Sequence, residues 1–169
     1  MKRILFAAIG VLFIPALVWA AEGQAIIKGT APDSQISGEA TFTQQDGGLM
    51  VEAKVANVPP GKHGFHIHEN GSCDDMGKAA GGHFNPDHVE HGFMPKDGHM
   101  HAHAGDMGNI DVGADGTGTL KIFLAKDTLE KGEYAVAGKA VILHEKEDDM
   151  SQPTGNAGGR IGCGIINVK

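Results

Sequence analysis

The sequence predicts an all-β protein, a β-sandwich or flattened barrel of about eight short strands with two long functional loops. Three observations carry that expectation. Apolar residues alternate in short runs, as in "LMVEAKV" (49–55), where Val51, Ala53 and Val55 share one parity and Glu52 and Lys54 the other. Glycine, at 26 of 169 residues, punctuates those runs with turns. Beyond the first twenty residues no long helical pattern, repeat or linker interrupts them. The length fits one domain, and 41% hydrophobic with 21% charged residues is ordinary for a globular chain.

The elements follow in order. Ala25-Ile26-Ile27 opens the first strand, and "GEATFT" (38–43) alternates as a second. Asp46-Gly47-Gly48 is a hairpin turn joining it to Leu49–Val55. Pro59-Pro60-Gly61 stops that strand, and Gly64–Glu69 forms the next. From Gly71 to Gly108 the periodicity is lost in a stretch of Gly, His, Asp and Pro, long enough to require function or cross-linking to organise it. Strands resume at Asn109–Val112 and Gly118–Leu124, with a turn at Ala114-Asp115-Gly116, and "AVIL" (140–143) is a fully apolar one. A second irregular stretch, Glu145 to Arg160, precedes a last strand near Ile161–Val168.

Residues 1–20 stand apart. Lys2 and Arg3, an apolar run from Ile4 to Leu17 and the Val18-Trp19-Ala20 end spell a secretory signal peptide, leaving 21–169 as the single domain. The run is short for a membrane span and contains Pro15, which disfavours a retained anchor. Losing those two positive charges takes the formal charge from -7 to -9. So acidic a domain is ill suited to nucleic acid or an anionic membrane surface. Export also places Cys73 and Cys163, the only two cysteines, in an oxidising compartment, which favours a disulfide over two free thiols.

Ten histidines in so small a domain exceed what packing needs. His66 and His68 share one strand face, a ready pair of metal ligands, while His63 has the other parity. The long loop adds His83, His88, His91, His99, His101, His103 and Asp106, and His144 follows "AVIL". Imidazole suits copper and zinc, and a carboxylate completes a zinc site. Chemistry alone therefore points to more than one metal ion.

Five strings in order, "HGFHIH" (63–68), "GGHFNP" (81–86), "HAGDMGN" (103–109), "LHEKEDD" (143–149) and "GNAGGRIGCGII" (155–166), resemble the copper–zinc superoxide dismutase family over nearly the whole mature chain, in its bacterial exported form. The resemblance implies a Greek-key arrangement and one copper and one zinc per subunit. His66, His68, His83 and His144 would hold copper, and His83, His91, His103 and Asp106 zinc, with His83 bridging. It implies that Asp148 hydrogen-bonds ligands of both metals, that His63 is structural, that Arg160 attracts and orients superoxide, and that Cys73 and Cys163 are bridged. The implied reaction alternately reduces and oxidises copper, turning superoxide into dioxygen and hydrogen peroxide, with His83 carrying a proton. The same ligands leave open a non-enzymatic copper or zinc buffering protein, against which Arg160 and a bridging His83 argue. The family includes homodimers built through different faces, which makes a homodimer an expectation here with a monomer as the alternative. The leader implies export, and the shorter loop before Arg160 with the "GNAGGRIGCG" spelling resembles bacterial members, so the expected location is the periplasm, with secretion as the alternative.

The chain departs from animal cytosolic members of that family. Cys73 lies ten residues before His83 and His91 twelve before His103, both longer separations. His103 is preferred as zinc ligand because His-x-x-Asp reaches Asp106, with His101 as the fallback. The insertion "FMPKDGHMHAH" (93–103) carries Met94, Met100, His99 and His101, and His99 and His101 are candidates for an accessory metal ion or for plain solvated side chains. His88 has no implied role. The loop before Arg160 is shorter, which leaves Lys139 and Lys146 as candidates for steering an anion.

Overall fold

The computed structural model describes residues 20–169. The expected signal peptide lies, but for Ala20, outside the described residues. Nine strands form: β1 (Glu22–Gly29), β2 (Ser37–Gln45), β3 (Gly48–Ala56), β4 (Gly61–His68), β5 (Asp106–Val112), β6 (Gly118–Ala125), β7 (Ala140–His144), β8 (Arg160–Ile165) and β9 (Asn167–Val168). The only helical pieces among the described residues are a 3-10 turn at Lys78–Ala80 and the one-turn α1 (Met94–Asp97). No helix among them is long and apolar enough to cross a membrane.

All strand pairings are antiparallel, and neighbours run β2-β3-β6-β5-β4-β7-β8-β1. The β1–β2 pairing closes the ring, which removes the free edges that would otherwise invite another strand. The two-residue Asp46-Gly47 turn sets the β2–β3 register, pairing Gln45 with Gly48 and Phe42 with Val51. Gly47 takes φ +81, which a side chain would resist. Among the eight strands of the ring, two connections skip neighbours, from β3 to β4 and from β6 to β7, and give the barrel its Greek-key order.

The alternation read in the sequence becomes the barrel interior. Ala25 and Ile27, Ala40 and Phe42, Leu49, Val51, Ala53 and Val55, and Phe65 and Ile67 are buried in one cluster. Each large side chain so buried contributes roughly 1.5–3 kcal/mol. β7 is buried on both faces because a second small cluster, Ala80, Ala140, Ile142 and Cys163, covers its outside. That is why "AVIL" shows no alternation.

The long loop is the connection from β4 to β5. It is shorter than expected because β5 begins at Asp106, three residues before the predicted Asn109. Phe84, Met94, Ala102 and Ala104 anchor it to the core. Met94 is therefore a core residue and not part of an exposed His/Met cluster. Residues 145–159 join β7 to β8. A third long connection, residues 126–139, joins β6 to β7 and brings Asp127 into the interior at 0% exposure.

Candidate metal centre

β4 supplies two histidines to the outside of the barrel wall. Phe65 and Ile67 point into the core, so His66 and His68 point away from it, under the loops. The register against β5 shifts between Gly64 and His66, so strict alternation does not reach back to His63. Hydrogen bonding sets His63 apart instead. Its Nδ1 faces the His144 carbonyl at 2.9 Å and its Nε2 the Pro59 carbonyl at 2.8 Å, leaving neither nitrogen for a metal.

The chain gathers eight ligand positions into two sets that share a member. His66, His68, His83 and His144 form one, and His83, His91, His103 and Asp106 the other, with the ligand atoms of each set within 4.8 Å of one another. All seven residues are buried. His83 comes from the loop, held by an antiparallel bridge to His68 at the end of β4. Its ring centroid lies 4.2 Å from that of His66, 4.9 Å from His68, 5.3 Å from His91 and 5.4 Å from His103.

In the first set, the Nδ1–H of His68 donates to the Gly81 carbonyl at 3.0 Å, which leaves its Nε2 with a lone pair. That nitrogen meets the His144 Nε2 at 3.3 Å. The His66 Nδ1 is buried with no hydrogen-bond partner, while its Nε2 donates to Asp148 Oδ2 at 2.8 Å. Burial lowers His68 and His144 to about 2, and neighbouring histidines and the Arg160 charge push the same way. Burial likewise lowers His83 to about 4 against the opposing pull of Asp106. These imidazoles are neutral at ordinary pH. Converging lone pairs and an orphaned buried nitrogen are what a bound cation would satisfy, and an all-imidazole donor set suits copper.

In the second set, the ring nitrogens converge on Asp106. Its Oδ1 lies 2.7 Å from His83 Nδ1 and 3.1 Å from His103 Nδ1, and its Oδ2 lies 2.8 Å from His91 Nδ1. The backbone N–H groups of Gly92 and His103 fix Oδ2 at 3.0 Å each. Burial disfavours the Asp106 charge, but bonds from His103, His83 and His91 outweigh it and hold the carboxyl far below its usual range. Burial works to lower His91, and the carboxylates of Asp106 and Asp148 outweigh it, raising His91 to about 9. Three imidazoles and one carboxylate suit zinc.

Asp148 stands between the sets. Its Oδ2 accepts from His66 and its Oδ1 lies 3.0 Å from His91 Nε2. It is buried, while the flanking acids Glu147 and Asp149 are exposed. A residue to which the motif reading gave no role holds it. Asn109 Nδ2 donates to the Asp148 carbonyl at 2.9 Å, and the Asp148 N–H donates to Asn109 Oδ1 at 2.7 Å. Gln152 ties the two loops in the same reciprocal way, exchanging hydrogen bonds with the His91 backbone at 2.9 Å. Gly155, at φ +70, lies so close that a Cβ there would overlap the Asp148 carboxylate. Asn and Gln carry no metal-ligand signal in a sequence, so only the folded loops reveal them.

Arg160 opens β8. Its Nη1 donates to the carbonyls of Gly77 at 2.6 Å and Lys78 at 3.3 Å, and its Nη2 to that of Gly81 at 2.6 Å. Three carbonyls therefore hold a half-buried guanidinium whose charge is felt at His68 and His144. The disulfide Cys73–Cys163 joins the same loop to β8 across a sequence separation of 90.

The two accessory candidates are not brought together. His99 is buried: its Nε2 lies 2.9 Å from the Ala125 carbonyl and 3.0 Å from Asp127 Oδ1, and Tyr134 stacks on its ring at 3.9 Å. His101 is exposed, so it is no substitute for His103 in the second set. Lys139 lies 4.0 Å over the Phe84 ring, and Lys146 is exposed.

Residues 36–166 match the family model described as copper/zinc superoxide dismutase (SODC). The chain is 40% identical over 147 residues to the extracellular superoxide dismutase [Cu-Zn] of Drosophila melanogaster, covering 81% of this chain and 78% of that protein. Its fold is similar to the crystal structure of the clock protein EA4, with a TM-score of 0.78 and 34% identity over 93% of this chain and all of the other. Superoxide dismutation is thus its activity, and copper and zinc its cofactors. The chain belongs to the copper/zinc superoxide dismutase family.

Proposed function

We propose that His66, His68, His83 and His144 hold copper, that His83, His91, His103 and Asp106 hold zinc, and that Arg160 receives the superoxide anion. The observation that carries this reading is the sharing of His83 by two buried donor sets of different chemistry. Copper, when bound, supplies the one-electron exchange by which two superoxide ions and two protons become one dioxygen and one hydrogen peroxide. The chain's own residues do the rest. The guanidinium of Arg160, clamped by three carbonyls, orients the anion beside the histidines. The Nδ1 of His83 faces Asp106 and so belongs to the zinc set, which leaves its Nε2 as the atom that would take up a proton and give it to the departing peroxide. Asp148 keeps His66 and His91 in their ring orientations.

The net charge repels an anion, so attraction is local: Arg160 first, with Lys139 and Lys146 supporting it. Replacing Arg160 by Ala is expected to lower kcat/KM for superoxide about tenfold or more and to flatten its fall with ionic strength. Copper- and zinc-loaded wild type, apo protein and the variant are compared by pulse radiolysis at two salt concentrations. Loaded protein no faster than free copper would sink the assignment of the metal ligands, and an unchanged variant would remove Arg160 from the site.

The leader-like residues 1–20 and the extracellular relative support an exported protein, and we place it in the periplasm. Fractionation, with a mature N-terminus at Ala21, tests this.

A further inference from the structure

Eight of the ten histidines have a ring nitrogen in a hydrogen bond within this fold. The two left over are His88 and His101. Both are exposed, and among the described residues neither ring hydrogen-bonds or pairs with a carboxylate. They are thirteen positions apart in sequence, yet they line one open depression together with Glu90 and Met100. Met100 is 78% exposed, although thioethers ordinarily sit in cores. Glu90 is exposed and unpaired among the described residues. The neighbouring acid Asp87 is already engaged by the Tyr134 hydroxyl at 3.0 Å, so it does not compete.

We propose that His88, Glu90, Met100 and His101 form a surface site for one copper ion, separate from the buried sets. The donor chemistry selects the metal. Imidazole binds copper, and a soft thioether favours copper(I). Only the two buried sets have donor atoms within 4.8 Å of one another among the described residues. The surface side chains must turn inward on an ion and lose rotamer freedom, so this site binds more weakly and exchanges its copper.

The test starts from protein holding one copper and one zinc per chain. Copper(II) sulphate is titrated in and followed by metal analysis and electron paramagnetic resonance. One further equivalent with its own signal is expected, and the His88→Asn/His101→Ala double variant should lose it by at least tenfold in affinity. Asn is chosen at 88 because it tolerates the φ of +54 there. Met100→Leu should keep copper(II) but weaken copper(I), presented under ascorbate, about tenfold. In wild type, the added copper should protect His88 and His101 from diethyl pyrocarbonate, a reading that needs no variant to fold. No further equivalent, one that survives the double variant, no protection, or equal uptake of zinc sulphate would each overturn the proposal. Dismutation and the buried metal content, followed in the same samples, separate failure of the buried centre from failure of this site.

Discussion

Asp148 couples the two donor sets through one carboxylate, accepting from His66 on one oxygen and facing His91 with the other. A side-chain amide in its place would offer one acceptor and one donor, so one of those imidazoles would lose its partner. Asp148→Asn is expected to weaken metal binding 10–100-fold, read by competition with a chelator at neutral pH. Retention of both metals at wild-type affinity would make Asp148 a bystander. His91 sets a pH dependence of its own. With its ring nitrogens between Asp106 and Asp148 it holds a proton up to about pH 9, and a cation must displace that proton. Zinc affinity of the metal-free protein should therefore rise about tenfold per pH unit from 6 towards 9, with one proton released on binding. Calorimetry in buffers of different ionisation enthalpy counts that proton, and a flat profile would contradict the assignment. At this scale the candidate ligands were legible because imidazole is chemically unusual, and the fold brings them together. Which acid of "EKEDD" matters was not legible from chemistry alone, since burial of Asp148 and exposure of its neighbours arise only when the loop folds.

The elements themselves were read from alternation, and their ends were set by tertiary structure. β5 starts at Asp106 because that residue lies opposite His66 on β4, a pairing that local periodicity cannot reveal. The loop insertion looked like one polar His/Met segment, but Met94 and His99 turn inward. His99 docks the insertion onto the β6–β7 connection at Asp127, a buried carboxylate with no sequence signal of its own. Burial pushes Asp127 up to about 6, more than His99 pulls it down, and Asp127 in turn raises His99. Between the ordinary 3.8 and about 6, the native state keeps a proton that the unfolded chain has released. Native stability therefore falls as pH rises through that window, and His99 continues the fall above its ordinary 6.5. Asp127→Asn removes the buried charge and keeps an acceptor for His99. Wild type should accordingly lose about 2 kcal/mol relative to Asp127→Asn between pH 4.5 and 8, measured by denaturant unfolding of the metal-loaded proteins. A difference that grew in the wild type's favour with rising pH would mean that the charged pair stabilises the loop.

Across the whole molecule, the strand count was visible in the sequence but the order of strands around the barrel was not, because pairing between distant segments leaves no local trace. The family resemblance implied the Greek-key order, and the closed ring carries it. For the cysteines, composition favoured a bridge and the resemblance implied one between the long loop at Cys73 and the last strand at Cys163, which is the bridge that forms. Cys73 lies in the loop that supplies the carbonyls of Gly77, Lys78 and Gly81, and Cys163 lies three residues beyond the arginine those carbonyls hold. The bridge thus binds the clamp to the strand that carries the clamped side chain. Replacing both cysteines by Ala should cost about 4–5 kcal/mol in the chain-entropy picture, seen as a lower Tm. A second effect follows from the position of the bridge. The metal sets keep other anchors, Gln152 to His91 and the core contacts of Phe84, Ala102 and Ala104, so copper and zinc content should survive at temperatures where the variant is folded. The arginine clamp has no such substitute. The variant should therefore lose kcat/KM towards superoxide with both metals in place, and its rate should respond to salt as weakly as that of Arg160→Ala. If the folded, metal-replete variant kept the wild-type rate and salt dependence, the bridge would stabilise the barrel without positioning Arg160.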